Sequence, residues 1–217
     1  MADRALTVPD PAERTNLAAF VTRALRLDEA AVIRVRRRDD EHVTVWAPTG
    51  FDALATRVAA GSVRPTDLTA AGDVLLSGLT GGTADIGVGY AMDSAWRGAL
   101  PPDTGFVHVD DVPARVLFEL ARRGADLAQQ HAGPQGPPTS LLGQKVLEVS
   151  GGGVEVTVEM RTVFALSAMG FVPEPAGDTA DDTEVVRVRA AATWLRLDAR
   201  YGSICARRGG GLPLFTT

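Results

Sequence analysis

The sequence predicts an α+β protein built from two related modules, each an antiparallel β-sheet of about three strands packed with helices. Three observations lead there. Some segments alternate strictly, with Val154, Val156 and Val158 set against Glu155, Thr157 and Glu159, the period of a half-buried strand. Others carry apolar residues three and four apart, as Leu17, Phe20, Val21, Ala24 and Leu25 do, the stripe of an amphipathic helix. A pattern of helix, Arg-bearing strand, second strand and glycine turn also occurs twice. Val32-Ile33-Arg34-Val35-Arg36 matches Val185-Val186-Arg187-Val188-Arg189, and the following strands reach Gly50 and Gly202. Regular β-α-β alternation is missing from both halves, which argues against a doubly wound nucleotide fold.

Taken in order, Pro11 to Leu27 reads as a helix, with Asp10 as its cap and Pro11 in its first turn. Ala31–Arg37 and His42–Ala47 form a hairpin reversed at Asp39-Asp40-Glu41, and a third strand is expected over Phe51–Ala60. Asp67–Leu79 is expected to be helical, with Leu68, Val74, Leu75 and Leu79 inward. The glycine-dense stretch from Thr80 to Gly105 should be irregular. Asp110 and Asp111 are expected to cap a helix opening near Pro113 and running to about Gln130, with Gly124 bending it. Gly133–Pro138 reads as a surface loop, Thr139–Leu147 as a short helix or extended connection, and Ser150-Gly151-Gly152-Gly153 as a turn between strands. A helix ends at Gly170, Glu174–Asp182 forms an acidic loop, two or three strands fill Glu184–Arg208, and Gly209-Gly210-Gly211 starts a tail. The predicted organisation is an N-terminal module over 1–80, a connecting segment over 81–110 and a C-terminal module over 111–217.

With 217 residues, 45% of them hydrophobic and 23% charged, the chain can bury a sizeable core. The basic residues are 21 Arg and the single Lys145, and the net charge is −5. That field repels phosphate backbones, so nucleic acid is disfavoured as a partner. A lone cysteine, Cys205, excludes an intrachain disulfide and a cysteine-based zinc cluster, and its apolar neighbours suggest a buried small residue. No apolar run approaches the roughly 18 residues of a membrane span. The first residues show no apolar signal core, so a cytoplasmic setting is the expectation.

Catalytic motifs fail on spacing. Gly87-Val88-Gly89-Tyr90-Ala91-Met92 lacks the third glycine of a dinucleotide loop, and neither a Gly-Lys-Ser/Thr loop nor a Gly-x-Ser-x-Gly elbow occurs. His42, His108 and His131 are scattered singly, and the carboxylate pairs Asp39/Asp40, Asp110/Asp111 and Asp181/Asp182 read as turns and caps. No catalytic residue, cofactor site or metal site is therefore assigned. The candidate contacts are Trp96 and Arg97, an aromatic beside a guanidinium in a loop, and the strand arginines Arg34, Arg36, Arg187 and Arg189. A plainer account has Trp96 filling the junction between halves and the arginines forming a solvated face neutralised by Asp39, Asp40 and Glu41. The expected function is a non-enzymatic protein-interaction or regulatory module acting through an inter-module surface. Its partner is expected to be a protein, and homo-oligomerisation is open. A small-ligand or anion-binding regulator with a pocket between modules is the alternative, and an uncharacterised enzyme or a nucleic-acid binder acting through the Arg faces ranks behind both.

The passages Trp96-Arg97-Gly98-Ala99-Leu100-Pro101-Pro102, Ala165-Leu166-Ser167-Ala168-Met169-Gly170-Phe171 and Trp194–Gly202 resemble those of a protein family of high-GC actinobacteria with no assigned activity. The resemblance spans most of the chain, implies a bacterial cytoplasmic setting and carries no functional residue.

Overall fold

The computed structural model describes residues 4–130, 139–174 and 184–208. The expectations that fall on His131, Gly133–Pro138, Asp181, Asp182 and Gly209–Gly211 lie outside these residues. Within them the chain is α+β with antiparallel sheets.

Strand β1 (Ala5–Thr7) leads into helix α1 (Pro11–Leu27), whose start is fixed by the Asp10 carboxylate accepting from the Ala12 N–H. The strands β2 (Val32–Arg37), β3 (His42–Pro48) and β4 (Ala53–Ala60) follow as a meander. Ile33 and Val35 are buried on one side of β2, and Arg34 and Arg36 occupy the other. Next come β5 (Ser62–Arg64), β6 (Asp67–Ala71), α2 (Gly72–Thr80) and β7 (Asp85–Gly87). The helix expected over Asp67–Leu79 is thus half strand. β6 pairs with the open edge of β2, burying Leu68 and Ala70, and the chain turns into α2 only at Gly72. There an added Cβ would stand 2.8 Å from the Ala31 carbonyl oxygen. The glycine-dense stretch is loop-rich as expected, and within it β7 pairs with β1 and a short 3-10 turn forms at Asp93–Ala95.

The second half comprises β8 (Val107–Pro113), α3 (Ala114–Gln130), α4 (Thr139–Leu142), β9 (Lys145–Gly151), β10 (Val154–Glu159), α5 (Met160–Ala168), β11 (Val185–Ala190), β12 (Trp194–Ala199) and β13 (Gly202–Arg207). Asp110 and Asp111 lie inside β8 instead of capping a helix, because Asp111 faces Arg187 across the strand pair and Val109 and Val112 are buried. The short helix expected from Thr139 is α4, and β9 follows it from Lys145, forming a hairpin with β10 over the predicted glycine turn. Gly124 does not interrupt α3. It lets α5 approach, since a Cβ there would fall 2.8 Å from Met160 Sδ and 2.9 Å from Phe164 Cζ.

Two separate sheets of about three strands were expected, but the main sheet is one piece, ordered β6-β2-β3-β4-β13-β12-β11-β8. Both repeated segments form a helix followed by a three-stranded meander, α1-β2-β3-β4 and α5-β11-β12-β13. Each meander ends on a strand with an open edge, and pairing Ser203 with Thr56 through Ala206 with Ala53 satisfies both. The halves therefore contribute four strands each to one surface. Their helices lie on one face over a shared core, in which Phe20 stacks on Phe171 at 6.3 Å and Phe51 tilts against Phe164 at 6.1 Å. Among the described residues no helix is long and apolar enough to cross a membrane.

Candidate functional site

The face of the sheet opposite the helices carries the polar members of each alternating strand, because successive side chains point to opposite sides. Strand register assembles them into rows. Trp46 of β3 stands opposite Thr56 of β4, Thr56 opposite Ser203 of β13, and Ser203 opposite Asp198 of β12. The adjacent row runs Pro48, Leu54, Cys205, Arg196. The segment joining the halves crosses these rows, and Trp96, Leu100 and Phe106 pack on Trp46, Trp194, Cys205 and Leu54 as a second apolar cluster.

Specific contacts hold the connector down. The Thr69 N–H donates to the Asp93 carboxylate at 2.9 Å, the Met92 N–H to the Thr69 carbonyl at 3.0 Å, and the Trp96 indole to the Gly98 carbonyl at 3.1 Å. The Arg34 guanidinium lies 5.7 Å from the Trp96 ring centroid and grips Asp67 with both prongs, at 2.8 and 2.7 Å. The hydrogen bond to Asp67 raises its pKa above the ordinary arginine value, against the effect of partial burial. Arg36 reaches Asp67 at 3.4 Å and Asp103 at 3.8 Å. Arg34, Arg36 and Trp96 thus meet at one end of the connector.

The other candidates sit elsewhere. Arg97 is exposed and lines a cleft with Trp194 and Arg207. Arg187 and Arg189 belong to β11, five strand spacings from β2 and so about 24 Å away. Arg187 faces Asp111 across the strand pair, and Arg189 Nε stands 3.0 Å from Asp198. The six residues do not share one concavity. The carboxylates that neutralise these arginines are Asp67, Asp103 and Asp198, not the expected Asp39–Glu41 turn. Asp39 instead closes its own turn, accepting from the Glu41 and His42 N–H groups and meeting the His42 ring at 2.8 Å. His108 pairs with Asp111 in the same way, also at 2.8 Å, and sequence spacing had suggested neither contact.

Two clefts flank the connector. One, of about 450 Å³, is walled by Pro48, Gly50, Leu54, Arg97, Trp194 and Arg207. The Arg207 guanidinium lies 4.2 Å above the Trp194 ring. The other, of about 390 Å³, lies between residues 101–106 and the row Trp46, Thr56, Ser203, Asp198. There Arg196 covers Phe106 at 4.5 Å and donates to Asp198 at 3.1 Å. Its Nε is 2.9 Å from the same carboxylate with the N–H off the line, so that second contact is ionic. Cys205 is fully buried, and burial pushes its thiol pKa up to about 12, which leaves it a poor nucleophile.

Trp46, Thr56, Trp194 and Arg207 were not candidates from sequence. The available signal was a tryptophan on the polar side of an alternating strand, seen in Thr44-Val45-Trp46 and Trp194-Leu195-Arg196. A large aromatic in that place needs a cover.

Several solved structures share the fold. A candidate DNA polymerase III beta subunit from Eubacterium rectale aligns with a TM-score of 0.62 at 11% identity, over 96% of this chain and 66% of its own. The DNA polymerase sliding clamp from Pseudomonas aeruginosa, described with a ligand, gives 0.59 at 12% identity over 98% and 67%. A sliding clamp from Bartonella birtlesii bound to griselimycin gives 0.52 at 14% identity over 98% and 67%. The chain therefore has a sliding-clamp-like fold and spans about two thirds of the length of these clamp chains. No curated protein sequence matches it. Residues 1–98 match the model described as domain of unknown function DUF8010, and the chain belongs to the family described as domain of unknown function DUF8185, whose model matches residues 101–211.

Proposed function

We propose that this protein is a protein-interaction module that docks a segment of a partner protein in the cleft where Arg97, Trp194 and Arg207 meet at the seam between its halves. The observation that carries this reading is the composition of that cleft. Leu54, Pro48 and the Trp194 ring offer apolar surface, and two guanidiniums face one carboxylate, Asp52. Asp52 is itself bonded to Arg161. A segment that presents an apolar side chain next to an acidic group complements this lining. The clamp-like fold supports the reading, since two of the similar clamps are described with bound molecules, a ligand and griselimycin. The net charge of −5 favours a protein partner over nucleic acid.

In this reading the halves are related copies, supported by the matching helix-and-meander units that meet at their equivalent last strands. Anion binding at the strand arginines is less well supported. An anion at Arg34, Arg36 or Arg189 would have to compete with Asp67 or Asp198, which already hold them.

The test places a photo-crosslinking amino acid at Ala99, beside Arg97. A specific crosslinked protein is expected from the wild type and should be lost in Arg97→Glu/Arg207→Glu, while Arg187→Glu, some strands away, keeps it. Crosslinking that survives the double charge reversal rules this cleft out as the docking site.

A further inference from the structure

We infer that the chain's own segment Leu212-Pro213-Leu214-Phe215 docks in the Arg97 cleft and competes there with a partner; the competition rests on the docking proposed above, whereas the self-docking does not. The described residues end at a wall of this cleft. Arg207 closes β13 and lines the cleft. Arg208 is pinned beside it, its N–H donating to the Thr193 carbonyl at 3.0 Å and its guanidinium to the Ala191 carbonyl at 3.1 Å. Gly209-Gly210-Gly211 follow, with no side chain to restrict the path. The chain from Arg208 to Leu212 can span up to about 14 Å. Leu212 is therefore within reach of the cleft that its own strand walls.

The chemistry of the segment decides between the clefts at that strand end. Residues 212–217 carry no charged side chain, and Leu212, Leu214 and Phe215 are large and apolar. Burying them is favourable where an apolar surface lies within reach. A neighbouring cleft of about 310 Å³ is dominated by charge, from Asp52, Glu159, Arg161, Arg207 and Arg208. The Arg97 cleft instead adds the half-buried Pro48 and Leu54 and the exposed Ala99, so the uncharged segment matches it better. Pro213 keeps Leu212 extended, which lowers the cost of ordering the segment. A linker this short sets an effective concentration in the millimolar range, so a contact too weak to hold two separate molecules is occupied within one chain. The segment brings no carboxylate side chain to Arg97 or Arg207. A partner that presents an acidic group beside an apolar one gains those contacts and displaces it.

The test uses the purified full-length chain without a partner, again with a photo-crosslinking amino acid at Ala99. Trypsin cuts at Arg208, so the fragment beginning at Gly209 should be recovered joined to the peptide that holds residue 99, from single chains. Leu214→Asp/Phe215→Asp should reduce this product by about 10-fold or more, because it puts two charges where apolar side chains were buried. Thr217→Asp should not reduce it. Arg97→Glu/Arg207→Glu, which should lose the partner, should keep it, since the segment makes no charged contact. Where a partner crosslink forms, Leu214→Asp/Phe215→Asp should increase its yield several-fold. The inference is overturned if the product is absent, survives Leu214→Asp/Phe215→Asp, disappears in Thr217→Asp or in the charge reversal, or arises only in crosslinked dimers. A partner yield unchanged by Leu214→Asp/Phe215→Asp overturns the competition. Failure of the partner crosslink with the intramolecular product intact counts against the proposed docking alone, and the reverse result against the self-docking alone.

Discussion

Gly50 and Gly202 hold equivalent places in the two meanders, yet the structure requires glycine at each for a different reason, and the two alanine variants separate them. At Gly50 φ is +73° and an added Cβ would meet nothing within 4 Å. The cost of Gly50→Ala is therefore conformational only, about 1 kcal/mol for a left-handed alanine. At Gly202 an added Cβ would lie 2.5 Å from Phe171 Cζ and 2.8 Å from the Thr56 carbonyl oxygen. Carbon–carbon contacts settle near 3.5–4.0 Å, so the overlap is about 1 Å. Phe171 cannot yield easily, being 1% exposed and stacked on Phe20, and Thr56 belongs to the β4 backbone that pairs with β13. Gly202→Ala should therefore fall at the upper end of overpacking, about 3 kcal/mol. At about 2–4 °C per kcal/mol for a chain of this length, that lowers Tm by roughly 6–12 °C. Urea unfolding of both variants, alone and with Phe171→Leu, measures the difference. Phe171→Leu should recover part of the Gly202→Ala loss and none of the Gly50→Ala loss. A Gly202→Ala cost no larger than that of Gly50→Ala, or one untouched by Phe171→Leu, would refute the steric account.

Two further outcomes follow from the ionisable groups. The Cys205 thiol is fully buried with its pKa pushed up to about 12, so thiol reagents at mildly alkaline pH should label it only at the rate of unfolding; rapid labelling of the native protein would contradict this. The Asp39 carboxyl is held below the usual aspartate range, first by the Glu41 N–H and then by the His42 side chain. Its contribution to stability is therefore complete above the unfolded pKa of about 3.9 and is lost as pH falls through the lower folded value. A carbon-detected titration should place its midpoint below that of an ordinary aspartate, and a midpoint at or above it would contradict the turn geometry.

Local order was legible wherever the signal is carried by neighbours in sequence. Leu17, Phe20, Val21 and Ala24 marked the buried stripe of α1, Asp10 its cap, and Val154, Val156 and Val158 the inward side of β10. The likeness of Val32–Arg36 to Val185–Arg189 announced two meanders of one topology. β6 and β8 escaped because their identity depends on a distant partner. Asp67 reads as the start of a helix and Asp111 as a helix cap until Arg34 and Arg187 are placed beside them.

The sequence by itself determined the composition of each surface: which strands are aliphatic on one side, that the other side is rich in arginine, and that two tryptophans interrupt that polar side. Only the tertiary structure decided that the two meanders share one sheet, that the connector lies across it, and that Arg34 binds Asp67 while Arg189 binds Asp198. The physical reason is that backbone pairing at an open strand edge is nearly independent of side-chain identity, so the β4–β13 seam leaves little trace in the residues that form it. Once that seam forms, residues roughly 150 positions apart, such as Thr56 and Ser203, become neighbours and the clefts exist.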